Sequence, residues 1–73
     1  MATMMDVVDT TGDKVKRLRE DLSLSQRELA KEADVSPATI LKIERGGVEQ
    51  PHPSTVRKLA KALGVHPRDL RAD

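Results

Sequence analysis

Ser25-Gln26-Arg27-Glu28-Leu29-Ala30-Lys31-Glu32-Ala33-Asp34-Val35-Ser36-Pro37-Ala38-Thr39-Ile40-Leu41-Lys42-Ile43-Glu44-Arg45-Gly46-Gly47 contains the start and the stop of two helices in one short run. Ser25 and Glu28 stand at capping-box spacing, where the serine oxygen accepts from a free first-turn amide and the glutamate reaches back to the serine's own amide. Behind them Leu29, Ala30 and Ala33 form a narrow stripe of small side chains, which lets a neighbouring helix approach closely before Asp34-Val35 break the run. Ser36-Pro37 starts a second helix, with serine as its cap and proline at the first helical position, where a missing amide hydrogen costs nothing. Ile40 and Ile43 share one face of it, and Gly46-Gly47 supply residues that adopt positive φ and stop it after Arg45. The stretch therefore predicts two short helices and a tight turn over residues 25–45, the second helix over 36–45.

Working outward, Val15, Leu18 and Leu22 recur at helical spacing with Lys16, Arg17 and Glu20 between them, which predicts a first helix from about Asp13. Residues 1–12 before it lack periodicity and read as a mobile arm, ordered only by a partner; residues 13–73 then form the domain. On the other side, residues 48–52 are a connector. Pro53 opens a helix whose apolar positions Val56, Leu59, Ala60 and Leu63 keep their spacing until Gly64. Val65 turns the chain inward, and the run from His66 to Leu70 has room for one or two turns of a fifth helix anchored by Leu70.

The 73 residues allow one domain, in which folding buries only about 60% of the unfolded surface. There is no cysteine, so neither disulfides nor a cysteine-ligated zinc can reinforce the small core. No apolar run approaches the roughly 20 residues of a membrane span, and Asp6 and Asp9 stand where a signal peptide would carry positive charge. The chain reads as soluble and cytoplasmic. Its net charge of +1 divides unevenly: Asp6, Asp9 and Asp13 all precede the first basic residue, leaving 13 basic against 9 acidic residues from Lys14 onward. That excess is compatible with a phosphate-binding surface. The absence of Phe, Tyr and Trp removes the stacking platforms that hold unpaired bases, which disfavours single-stranded DNA and RNA but leaves a duplex open.

At about 100° per residue, Ala38, Lys42 and Arg45 fall together on the side of the second short helix away from Ile40 and Ile43. That face is small at its start and basic toward its end, a shape that fits a major groove. The fragments Ser25-Gln26-Arg27-Glu28-Leu29-Ala30, Val35-Ser36, Ile40-Leu41-Lys42-Ile43-Glu44-Arg45-Gly46 and Leu59-Ala60-Lys61-Ala62-Leu63-Gly64-Val65, in this order, resemble the phage repressor and Cro type of helix-turn-helix protein, also called the xenobiotic-response-element family. The resemblance covers roughly residues 13–70.

The resemblance implies an all-α, compact, five-helix lambda-repressor-like domain acting as a sequence-preferring transcriptional regulator of double-stranded DNA, by default a repressor. It further implies phosphate contacts from Ser25, Gln26 and Arg45, with Gln26 also bracing the recognition helix. Pro37, Ala38, Thr39 and Lys42 fall at base-facing positions, with Lys42 set to donate to guanine and the methyl groups of Ala38 and Thr39 to meet thymine. Pro37 departs from the family, because it makes no side-chain hydrogen bond, and shifts the balance toward DNA shape and phosphates. The connector over residues 46–53, with Glu49 and two prolines, is longer than the family's. Arg19 and Glu44 match a pair that ties the first helix to the recognition helix. Near-palindromic sites are commonly bound by dimers, for which the arm and, preferably, the terminal turn near Leu70 are the candidate contacts.

The competing reading is a protein-interaction module, such as an antitoxin or transcription adaptor, on the same fold. It predicts contiguous exposed apolar side chains on the recognition helix, and the projection shows no such patch; Leu41, about 100° from Ile40, is left open between exposure, the flank of the core and a DNA contact, with partial burial expected. No nucleophile, base and orienting group can be assembled, which argues against an enzyme. His52 and His66 lack the cysteines or carboxylates of a metal site and are expected to face solvent, so no metal or cofactor is implied.

Overall fold

Thr10 caps the first helix, α1 (Thr11–Asp21): its Oγ1 accepts from the Asp13 amide at 3.0 Å while the Asp13 carboxylate accepts from the Thr10 amide at 3.1 Å. The computed structural model describes residues 10–48 and 50–71. Helix α1 thus begins ahead of Asp13, because a threonine and an aspartate complete the reciprocal cap that serine and glutamate usually make. Of the residues read as an arm, 1–9 lie outside the described residues, whereas Thr11 and Gly12 are buried within α1. Glu49 also lies outside them.

Helices α2 (Gln26–Ala33), α3 (Pro37–Glu44) and α4 (Pro53–Leu63) follow, and every described element is helical. Ser25 closes its capping box with Glu28, and Ser36 Oγ accepts from the Thr39 amide at 3.2 Å with Pro37 in the first turn. Gly46 takes φ +81 just after α3, and the Gly47 amide donates to Lys42 O at 2.9 Å, so the helix end is satisfied. The two histidines are exposed and each caps a helix start, His52 Nδ1 accepting from the Ser54 amide and His66 Nδ1 from the Arg68 amide, both at 3.2 Å.

The fifth helix predicted from sequence is a single 3-10 turn, Pro67–Leu70, so the described fold has four α-helices. His66 and Asp69 form a reciprocal cap at its N-terminal end, the Asp69 carboxylate accepting from the His66 amide at 3.0 Å, and Arg71 is already extended, which leaves no room for α-helical bonding. The turn still delivers Leu70 into the core. Leu70 joins Val15, Leu29, Ile40, Ile43 and Leu59 as the fully buried large side chains.

Helix α2 packs against both α3 and α4, α1 lies on α3, and the terminal turn closes over α4 and α1. Lys14 Nζ donates to the Arg71 carbonyl, tying α1 to the chain beyond that turn. Leu22, predicted on the inner stripe of α1, is 50% exposed instead. Helix α1 has ended at Asp21 and the next residues turn away, Ser23 with φ +58; the buried position one turn earlier belongs to Arg19.

The tight turn between α2 and α3 rests on Asp34, which adopts φ +58 and ψ +47. That conformation strains L-residues, though aspartate less than most, and it sets a carboxylate against the negative end of α2. Relief of both outweighs the extra chain entropy of glycine. Asp34→Gly is expected to raise stability by about 0.5–1 kcal/mol, read as a thermal midpoint about 4 °C higher. A lowered midpoint would show that the carboxylate contributes more than it strains.

Candidate nucleic-acid interface

The position of α3 is set by one buried polar cluster. Arg19 Nε donates to Glu44 Oε2 at 2.7 Å and Nη2 to Oε1 at 3.0 Å, a forked pair between α1 and α3. The remaining arm, Nη1, donates to the Leu24 carbonyl at 2.7 Å in the α1–α2 loop. Glu44 Oε1 also accepts from Gln26 Nε2 at 3.0 Å, which brings in the first residue of α2. The Arg19 and Glu44 side chains are 11% and 4% exposed, so this is an interior contact. The hydrogen bond to Glu44 raises the Arg19 pKa above its ordinary value, against the opposing effect of burial. Three segments of chain are thereby fixed to the last turn of α3.

Helix α3 and its C-cap present Pro37, Ala38, Lys42 and Arg45 to solvent. Thr39 is only half-buried, and its hydroxyl is engaged with Ser36 Oγ at 2.9 Å. At the start of α2, Ser25 is exposed and Gln26 half-buried. Ser25 Oγ accepts from the Glu28 amide at 3.0 Å. Its own amide donates to Glu28 Oε1 at 2.7 Å; this bond, before the serine hydroxyl, holds the Glu28 carboxyl below the usual carboxylate range. The stabilisation by this cap is complete above the unfolded pKa and is lost as pH falls through the lowered folded value.

Two features of the site were not decided by the sequence. Leu41 is 41% exposed, so Pro37, Ala38 and Leu41 make a contiguous exposed apolar strip where the projection of α3 predicted none. The physical reason is simple: Leu41 follows Ile40 by one residue and is turned about 100° out of the core. The second is Gly12. A Cβ added there would lie 2.1 Å from the Ile43 carbonyl oxygen, so the first turn of α1 rests directly on the backbone of α3. A glycine inside a helix, about 1 kcal/mol worse than alanine, was the available signal of a close approach. It went unread because Gly12 fell within the presumed arm.

A depression of about 450 Å³ lies among Thr11, Pro51, Pro53, Val56, Arg57 and His66, and no residue of α2 or α3 lines it. It is separate from the face of α3. No described helix is long and apolar enough to cross a membrane.

A family model for helix-turn-helix proteins matches residues 15–70, most of the chain. The chain belongs to the helix-turn-helix family. Among curated helix-turn-helix relatives, the HTH-type transcriptional repressor RghR of Bacillus subtilis (strain 168) is 38% identical over 58 residues, which are 80% of this chain and 43% of RghR. The control protein C.BamHI of Bacillus amyloliquefaciens is 42% identical over 60 residues, 81% of this chain and 73% of that protein. The chain thus spans less than half of RghR and most of C.BamHI. Among solved structures, the P22 c2 repressor in complex with a synthetic operator superposes with a TM-score of 0.78 at 31% identity, covering 85% of this chain and 92% of that one.

Proposed function

We propose that this helix-turn-helix chain is a sequence-preferring transcriptional regulator of double-stranded DNA, acting as a repressor in the cytoplasm, with α3 in the major groove. One observation carries the reading: the Arg19–Glu44–Gln26 cluster holds α3 so that Lys42 and Arg45 face solvent beside the exposed start of α2. Lys42 and the small Pro37, Ala38 and Thr39 face base edges, while Ser25, Gln26 and Arg45 contact phosphates. Similarity to a repressor captured on its operator supports that arrangement. The domain, from the Thr10 cap of α1 through the terminal turn, acts as one unit and binds as a homodimer on a near-palindromic site, with half-sites about one helical turn apart. The terminal turn at Leu70 is the favoured dimer contact, and no cofactor takes part.

The reading is tested by selecting the chain against a random duplex library at about 0.15 M salt, then titrating the best site and a scrambled one. An enriched palindrome with a large affinity ratio establishes the regulator and gives its half-site. The exposed strip of Pro37, Ala38 and Leu41 favours a second reading, a module that docks on a protein such as a toxin or adaptor. Absence of any enriched, salt-sensitive site would promote that reading over the first.

Two substitutions separate the roles on α3. Lys42→Ala is expected to lose about 1–3 kcal/mol on the selected site and to relax discrimination at one base pair. Equal losses on every duplex would make Lys42 a phosphate contact. Arg45→Ala is expected to weaken all duplexes alike and to lower the slope of log K against log salt by about 1. An unchanged slope would remove Arg45 from the phosphate contacts.

A further inference from the structure

Leu41 is a large apolar side chain, 41% exposed, on the helix that also carries Lys42 and Arg45. The other exposed large apolar residue among the described ones, Leu22, lies in the turn after α1, where the arginine on its face, Arg19, is buried. On the projection of α3, Leu41 falls about 40° from Pro37 and Arg45 and about 60° from Ala38, within the outward arc. It adds nothing to the core, which Ile40 and Ile43 already fill on the opposite side.

The chemistry of this arc is one-sided. Pro37, Ala38 and Leu41 have no side-chain donor or acceptor, the Thr39 hydroxyl is engaged with Ser36 Oγ, and Lys42 is left as the polar group aimed at a base edge. In the major groove the bases differ in donors and acceptors, but only thymine also presents an apolar group, the methyl on C5. An apolar strip bordered by Lys42 and Arg45 therefore fits a thymine-bearing duplex: the cations draw in the phosphates and the strip meets the methyl. A polypeptide partner is a poorer fit, because a stable protein interface needs about 800 Å² on each side and this strip has three side chains, one of them alanine.

We propose that Leu41 is a specificity-determining residue that packs against the 5-methyl group of a thymine in the bound site. The proposal rests on the DNA-binding reading above and adds to it the base that the apolar part of α3 selects.

The test uses the full chain and the site recovered from the library. Each thymine of that site is replaced in turn by deoxyuridine, which removes one methyl and leaves base pairing and polar edges intact. The expected result is one position per half-site at which the unsubstituted chain loses about fourfold in affinity, the effect of one buried methyl. Leu41→Ala is expected to lose a similar factor on the thymine site and to be indifferent to deoxyuridine at that position. Its thermal midpoint should stay unchanged, since the side chain is outside the core. If the unsubstituted chain binds every deoxyuridine site equally, or if Leu41→Ala remains as sensitive as the parent at each position, the proposal is overturned while DNA binding stands. If no specific site emerges from the library, the DNA-binding reading falls and this proposal with it.

Discussion

Arg19→Ala is expected to lower the stability of the domain by about 3 kcal/mol, far more than an ordinary charge substitution. The substitution leaves the Glu44 carboxylate, 4% exposed, with Gln26 as its remaining side-chain partner among the described residues. A buried charge stripped of its counter-ion costs about 3–5 kcal/mol; the low end applies because Gln26 still donates to Glu44 Oε1. It also frees the Leu24 carbonyl and so loosens the α1–α2 loop. At roughly 0.05–0.15 kcal/mol per residue, the 73-residue chain has only about 4–11 kcal/mol in total. Urea unfolding should therefore show a midpoint shifted sharply down.

The same reasoning predicts strong non-additivity. Arg19→Met combined with Glu44→Leu removes both charges and fills their space, and should recover much of the single-variant loss. A loss below about 1 kcal/mol for each single substitution, adding simply in the pair, would mean the contact behaves as a solvated surface ion pair. DNA binding should follow stability here, because Glu44 holds Gln26 and the end of α3 together.

Gly12→Ala should be about as damaging, although on a solvated helix the same change would stabilise by about 1 kcal/mol. The new methyl would sit 2.1 Å from Ile43 O, with Glu44 Cα also within 3.2 Å. Overpacking a core usually costs about 1–3 kcal/mol, when side chains can rotate aside. Here the obstruction is backbone, so α1 must lift from α3, and a loss of about 3 kcal/mol is expected, or more than about 10 °C in thermal midpoint. Lifting α1 also lengthens the Arg19–Glu44 contact, so affinity for the selected duplex should fall with stability. A midpoint equal to or above that of the parent chain would show that the two helices stand further apart than described.

These two residues mark the boundary of what could be read in advance. Arg19 was named from its resemblance to a family pair, yet its third bond, to the Leu24 carbonyl, has no signature in sequence, since any residue offers a carbonyl. Gly12 carried a local signal, but its meaning depends on Ile43, 31 positions away in the chain. Leu41 shows the opposite failure: the helical period puts it outside the core, but whether neighbouring elements cover it is a property of the packed structure.

The sequence by itself determined the local elements of this protein. Caps at Ser25 and Ser36, the proline at the start of α3, the stops at Gly46 and Gly64 and the apolar periods of α2, α3 and α4 each act over a few residues, and hydrogen bonding within one turn makes them legible. It likewise carried the family resemblance and the outward placement of Lys42 and Arg45. Tertiary structure alone decided that Pro67–Leu70 is one 3-10 turn, that Gly12 touches α3, that Leu22 leaves the core and that an apolar strip lies open beside the basic residues. Each of these depends on distances between segments remote in sequence, where close packing and the satisfaction of buried polar groups set the outcome.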